Sequence, residues 1–363
     1  MKTVLKSTVL VLLIVSSHAL IAGMNEANTA FNSGLYTDAY RQYRKLADQG
    51  NVDAQYRLGE MYNEGNGLPK NHEKAATWFR KAAEQGHVSA QSKLGIACLL
   101  GQGVKQDDRE AVLWLNQAAA NGNTNAQYYL AEMYFKGEGT QQDYHEAIKW
   151  FRSAANKGSA DAQFSLGSAY YQGEGVDQDY GLAMNWSNQA AAQDHPGAMK
   201  LTATMYYYGD GTSQNYSSAF EWYQKAAERD DAPAQNHLGE MYRDGLGIEK
   251  DYTNAINYFR KAAKQGNAEA QLNLGLMYLN GQGVEKDDSV AAKWLKLSAE
   301  QELPLAQYAL GLSYAGGLGV IYDYNRADYL LGKAEAQGIK DAAIQRKILS
   351  KNRKHREATR DKR

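Results

Sequence analysis

Apolar and polar positions along this chain follow a helical spacing, and the spacing itself recurs every 36 residues. In residues 51–86, Ala54, Leu58, Met61 and Tyr62 form one apolar stripe, and Ala75, Trp78, Phe79, Ala82 and Ala83 form a second. Stripes of this kind predict two amphipathic helices, the second from about Asn71 to Gln85. Asn51 suits the N-cap of the first, as do Asn123, Ser159, Asp231 and Asn267 in the same slot. Pro196 and Pro304 occupy the next slot, where proline forfeits no hydrogen bond. Gly65 is placed to end the first helix in a left-handed turn, and Gly86 closes the second. Gly59, inside the first helix, belongs to a slot holding only glycine or alanine. Since glycine weakens a helix, a slot restricted to the smallest residues predicts close approach by the second helix.

The unit repeats through most of the chain. Ala-Gln pairs stand at Ala54-Gln55, Ala90-Gln91, Ala126-Gln127, Ala162-Gln163, Ala234-Gln235, Ala270-Gln271 and Ala306-Gln307, with Ala198-Met199 in the remaining register. A Gly-x-Gly follows each at a fixed offset, from Gly65/Gly67 to Gly317/Gly319. A period in this range signifies a repeat architecture, in which each unit contacts its neighbours and no single globular core forms. The predicted class is all-α: a right-handed α-solenoid of helix-loop-helix 36-residue repeats.

The unit Asn123–Gly158 carries Ala126-Gln127, Leu130, Met133-Tyr134, Gly137, Gly139, Asp143-Tyr144, Ala147, Trp150, Ala154-Ala155 and Gly158. This pattern resembles the Sel1-like repeat, a relative of the tetratricopeptide repeat, and it covers about four-fifths of the chain. The resemblance implies that the first helices line a concave surface used to hold proteins or peptides together. Secreted bacterial members share the layout of signal, repeats and no catalytic domain. Cysteine-rich relatives, linked to penicillin binding, carry paired cysteines; this chain has one cysteine, Cys98. Cys98 falls in a slot otherwise filled by tyrosines such as Tyr62 and Tyr134, which is a packing position.

The ends differ from the array. Lys2, Lys6 and the apolar run Thr8–Val15 read as a secretory signal, too short to span a bilayer, with cleavage expected near Ala19 or Gly23. The domain reading is therefore a signal peptide at 1–23, an N-terminal capping partial repeat at 24–50, eight repeats at 51–340, and a C-terminal cap helix with basic tail at 341–363. Ala342, Ala343, Ile344, Ile348 and Leu349 continue the apolar pattern into that cap, and the stretch from Lys351 onward is expected to fray. The net charge of −1 conceals a division: nine basic and two acidic residues from Arg346 to Arg363 give +7, leaving −8 on residues 1–345. The tail is either a solvated end or a weak contact to an anionic surface; without interleaved aromatics, nucleic acid is disfavoured.

Chemistry-bearing motifs are sparse. The Gly-x-Gly pairs lack the lysine and preceding strand of a phosphate loop, and His145-Glu146 lacks the second histidine of a zinc protease. The acidic pairs Asp107-Asp108 and Asp287-Asp288 suit helix starts. No catalytic residue, cofactor or metal is assigned. The six tryptophans share one slot with Tyr258 and Leu330, and read as core.

Once the recurring residues are set aside, variable first-helix slots remain. The candidate partner-binding residues, on what the resemblance makes the concave face, are Leu99, Leu100, Tyr128, Phe135, Phe164, Tyr171, Tyr207, Tyr208 and Arg243. Aromatic clusters of this kind supply interface anchors. The expected function is an exported, periplasmic or secreted, non-catalytic monomeric scaffold for a protein or peptide partner, in envelope assembly or host interaction. The alternatives are a cell-wall or β-lactam hydrolase related to the cysteine-rich proteins, and a surface tether acting through the basic tail.

Overall fold

The structure, a computed structural model, describes residues 22–360; the expected signal peptide lies almost wholly outside them. Two compact units are present, one ending at Asp179 and the other beginning at Tyr180. Among the described residues the secondary structure is helical, with no strand.

The first unit comprises α1 (22–32), α2 (Tyr36–Asp48), α3 (Val52–Glu64), α4 (His72–Glu84), α5 (Val88–Leu100), α6 (Asp108–Ala120), α7 (Thr124–Lys136), α8 (Tyr144–Asn156) and α9 (Ala160–Gln172). The second comprises α10 (Tyr180–Ala191), α11 (Pro196–Tyr208), α12 (Tyr216–Ala227), α13 (Ala232–Asp244), α14 (Tyr252–Lys264), α15 (Ala268–Asn280), α16 (Asp288–Glu300), α17 (Pro304–Gly316), α18 (Tyr324–Ala336) and α19 (Lys340–Arg360). Within each unit the helices pack chiefly on their neighbours in sequence, as an all-α solenoid of hairpins.

Helix boundaries follow from capping chemistry. Asn51 accepts from the Ala54 N–H at 2.8 Å, and Asn123, Ser159, Asp231 and Asn267 cap in the same way. His87 and His195, scattered histidines by sequence, turn out to fill this slot: each ring Nδ1 accepts a first-turn N–H at 3.1 Å. The second helices are capped by Asn71, Asp107, Asp143, Asn215, Asp251, Asp287 and Asp323, which accounts for the acidic residues at their starts. These caps satisfy amide donors that a helix start otherwise leaves unpaired.

The Ala-Gln pair has an equally specific role. Gln55 is buried, and its amide donates to the carbonyl of Ala47, eight residues back, at 3.2 Å. Gln91, Gln127, Gln163, Gln235 and Gln271 repeat this bond, tying each first helix to the carbonyl end of the helix before it. A second glutamine, one helix later, then joins the buried one: Gln85 to Gln55, Gln265 to Gln235, Gln301 to Gln271 and Gln337 to Gln307 at 2.8–2.9 Å.

The two glycine motifs mark two close approaches. A Cβ on Gly59 would stand 2.5 Å from the ring of Phe79, so the helical glycine admits a large side chain from the partner helix of its own hairpin. The second glycine of Gly-x-Gly has another purpose: a Cβ on Gly139 would stand 2.3 Å from the carbonyl oxygen of Asp108, at the start of the preceding hairpin's second helix. The Gly-x-Gly loop is therefore an inter-repeat contact, with a backbone at φ near +70° that favours glycine.

In the first unit a continuous core runs from Ala27 to Met133. Cys98 is wholly buried in it, with burial pushing its thiol up to about 11, as the packing reading required. The tryptophans are less enclosed than expected. Trp78 is buried, but Trp114, Trp150, Trp186, Trp222 and Trp294 are half-buried, and lysines cover several rings, with Lys225 4.1 Å from the Trp222 centroid. These rings close the core at its edge, where an indole has one apolar and one wet side.

The C-terminal helix departs from expectation in two respects. It continues to Arg360 where fraying from Lys351 was expected. Ala342 and Leu349 are buried, but Ile344 and Ile348 are 56% and 47% exposed, because α19 lies against α18 along one face only. Arg346, counted with the basic tail, pairs instead with Asp328 and Glu335 of α18, at 2.8 Å each. No helix among the described residues is long and apolar enough to cross a membrane.

Candidate binding face on the first helices

Each unit presents side chains from its first helices, and the two units present different chemistry. In the first unit, α3, α4, α5, α7 and α9 enclose a cavity of about 290 Å³. Its floor holds buried Phe79 and half-buried Ile96. Tyr128 and Tyr129 form one wall, ring against ring at 5.3 Å and 63°. Asn63, Lys93, Asn125 and Asp161 supply polar groups around it. His72 lies within the lining, its Nδ1 3.0 Å from the Asn63 side-chain oxygen. Burial, chiefly, and the nearby Glu132 and Asp161 raise the Tyr128 phenol, so it remains a neutral hydrogen-bonding group. An apolar floor with amides and both signs of charge at its margin suits an extended polypeptide, whose side chains are apolar and whose backbone is amide.

The other predicted residues of this unit lie around that cavity. Phe135 is wedged within its own hairpin, 4.9 Å edge-on to Tyr144 and 6.1 Å from Phe151. Its carbonyl accepts from the Gln142 side chain at 2.9 Å, and Gln178 does the same for Tyr171 at 2.8 Å. Phe164 and Tyr171 are half-buried on α9. Leu99 packs against the core, whereas Leu100 is 53% exposed. Of the candidates named in this unit, Tyr128 alone lines the cavity; Lys93, Ile96, Asn125 and Tyr129 also line it and were not among those named. They stand in slots without an aromatic consensus, so a search for recurring aromatics passes over them. Their signal was a change of character between adjacent repeats, such as Arg57, Lys93, Tyr129 and Ser165 in one slot.

In the second unit, the first-helix face is an interlocked polar network. Glu240 accepts from Asn236 at 3.1 Å, from Asn273 at 3.2 Å and approaches His237 Nδ1 at 3.0 Å. Asn273 also donates to Asn236 at 3.0 Å and accepts from Arg243 at 2.9 Å. Arg243 forks onto Asp244 through Nε and Nη2 at 2.9 and 2.8 Å. Burial raises the Glu240 carboxyl, but the hydrogen bonds from His237, Asn236 and Asn273 outweigh it and hold the group below the usual carboxylate range. His237 is stacked on the buried Tyr223 ring at 4.8 Å. Tyr207 sits edge-on to Tyr208 and Tyr216 at 5.0 and 5.2 Å, and Tyr208 is 60% exposed. The predicted Tyr207, Tyr208 and Arg243 thus flank a cluster whose polar centre was missed. Its signal was asparagine at 236 and 273, in two slots where no other repeat has an amide side chain.

Among the described residues, no three His, Cys, Asp or Glu side chains converge as a metal site requires. The geometry instead offers shape, hydrogen bonding and apolar contact.

No curated protein matches the sequence. Among solved structures, a Sel1 repeat protein from Oxalobacter formigenes is 32% identical, with a TM-score of 0.64 over 85% of this chain and 89% of that one. The c5321 protein of uropathogenic Escherichia coli, described as a protective antigen displaying an SLR fold, is 29% identical, with a TM-score of 0.55 over 94% of this chain and 89% of its own. Proteins built from such repeats generally mediate protein–protein interactions and are typically non-catalytic. The Sel1 repeat model matches residues 52–87, 88–123, 124–159, 160–195, 196–231, 232–267, 268–303 and 304–339 in unbroken succession, and the chain therefore belongs to the Sel1 repeat family.

Proposed function

We propose that this chain is an exported, non-catalytic scaffold that holds a polypeptide segment of a partner on the concave face formed by its first helices. The observation that carries the reading is the first-unit cavity, with Phe79 and Ile96 as its floor, Tyr128 and Tyr129 as its wall, and amide and charged groups at its margin. At about 290 Å³ it takes one or two side chains, the size of an anchor within a longer contact. The two asparagines are suited to a backbone, because an amide donates and accepts at once. Export is supported by the N-terminal pattern of Lys2, Lys6 and the run Thr8–Val15. The Escherichia coli relative is a protective antigen, which is in keeping with a role outside the cytoplasm.

The test is affinity capture from envelope and host-cell extracts with the full chain as bait. Ile96→Glu with Tyr129→Ala should reduce recovery of the partner at least about 10-fold, the loss expected of removing a buried anchor. Undiminished capture by this pair, with loss on Tyr171→Ala plus Tyr207→Ala, would move the contact away from the cavity. Undiminished capture by both pairs would refute binding through this face.

A further inference from the structure

The loop after α17 departs from the corresponding loop of the other seven repeats. Ile321 stands where they carry proline or a polar or charged side chain, and Tyr322 where all seven carry lysine or glutamine. Leu318 has an apolar counterpart only in Leu246. All three are open to solvent, Ile321 to 91%. An isoleucine so exposed adds nothing to the core, since apolar surface stabilises a fold only when it leaves water.

Cations gather beside this loop. α18 begins at Tyr324, just past it, and α19 returns along α18 to bring the Arg353 guanidinium 4.4 Å from the centroid of the Tyr324 ring. Lys347, Lys351 and Lys354, three and four residues apart on one face of α19, line a groove of about 610 Å³ together with Tyr324. The acidic side chains nearby are already engaged. Asp328 and Glu335 both pair with Arg346 at 2.8 Å, and Asp323 caps α18 and faces Arg326 at 3.4 Å. The three lysines are left without an acidic partner among the described residues. Ile344 and Ile348, both exposed, border the lysine stripe along α19.

We propose that this end of the second unit docks on an anionic lipid bilayer, with Ile321 entering the interface and Lys347, Lys351 and Lys354 meeting the headgroup phosphates. A protruding apolar loop with uncommitted cations behind it fits an occupant that is anionic at its surface and hydrocarbon beneath. An apolar contact alone holds a protein to a membrane only marginally, and a basic patch beside it supplies the second attraction. The site lies on α17–α19 and does not depend on the first-unit cavity.

The experiment mixes the full chain with vesicles of phosphatidylcholine, and of phosphatidylcholine with phosphatidylglycerol, and follows co-sedimentation. Binding to the anionic vesicles should be at least about 10-fold tighter and should weaken as salt is raised. Lys351→Glu with Lys354→Glu should lower that affinity at least about 10-fold, and Ile321→Ser several-fold. These side chains are exposed, so the variants keep the fold. Ile321→Cys carrying an environment-sensitive dye reads the loop itself, because Cys98 is wholly buried; lipid contact by the apolar run Thr8–Val15 is then not mistaken for it. The dye should shift to the blue on anionic vesicles at low salt and stay unshifted on phosphatidylcholine. Ile96→Glu with Tyr129→Ala should change none of this, which separates the site from the partner-binding cavity. An unshifted dye, an equal shift on both kinds of vesicle, or co-sedimentation undiminished by both the lysine pair and Ile321→Ser would each overturn the proposal. Salt-sensitive self-association lost in the lysine variant, with no dye shift on vesicles, would assign the patch to a second copy of the chain and overturn it equally.

Discussion

Two glycines with nearly the same backbone conformation show how the residue scale decides what a motif is for. Gly139 and Gly158 both have left-handed φ, +68° and +89° respectively, yet a Cβ on Gly139 meets the Asp108 carbonyl at 2.3 Å and a Cβ on Gly158 meets nothing within 4 Å. Gly158→Ala should therefore cost only the left-handed penalty, about 1–2 kcal/mol. Gly139→Ala adds a clash with backbone that cannot yield, and should cost about 3 kcal/mol or more. The molecule has already made the milder change: Asp194, Asp230 and Glu302 occupy the open slot at φ of 60–65°. Urea midpoints of the two variants check the contrast, and equal losses would contradict it. Glu240 gives a residue-scale dependence on pH. Its folded value is lowered, so its contribution is complete above the ordinary glutamate range and is lost as pH falls through the folded value. The stability difference between wild type and Glu240→Gln, followed downward from pH 5.5, should narrow below about pH 4. A difference that stays constant to pH 3 would mean that the network does not stabilise the carboxylate.

At the scale of the element, sequence was a reliable guide wherever one residue type answers one local need. Asn51, Pro196 and Gly65 marked helix starts and stops because capping and left-handed turns involve only a few neighbouring residues. Leu58 and Met61 identified the core for the same reason, since helical periodicity turns them to one side. The capping by His87 and His195 escaped notice because an imidazole ring accepts only through one nitrogen and is an uncommon cap. The first-unit cavity was partly legible: Tyr128 was named, but Ile96 and Tyr129 come together only through the packing of successive hairpins, which no single repeat reveals. The final helix illustrates the limit of pattern reading. Ile344, Ile348 and Leu349 look alike in sequence, but α18 covers only Leu349. Leu349→Ala should thus cost about 2–3 kcal/mol and Ile348→Ala less than about 0.5 kcal/mol. Thermal denaturation of the two variants measures the difference, and similar losses would mean that α19 buries a broader face.

At the scale of the whole molecule, repetition makes stability local. In the first unit each hairpin is joined to the next by the same three devices: a buried glutamine on a carbonyl, a glycine loop against a helix start, and packed apolar side chains. Contacts run between successive helices, with α5 also reaching α7, and no central core binds α2 directly to α8. In such an array, stability approximates the sum of each repeat and its nearest interfaces. Damage at one interface should therefore remain near it. Gly139→Ala breaks the contact between the loop after α7 and the start of α6. Amide hydrogen exchange in this variant should accelerate most in α6, α7 and α8, less in α4 and α5, and least in α2 and α3. A uniform acceleration from α2 to α9 would show instead that the unit unfolds as one cooperative body, and that its repeats are a feature of sequence more than of energetics.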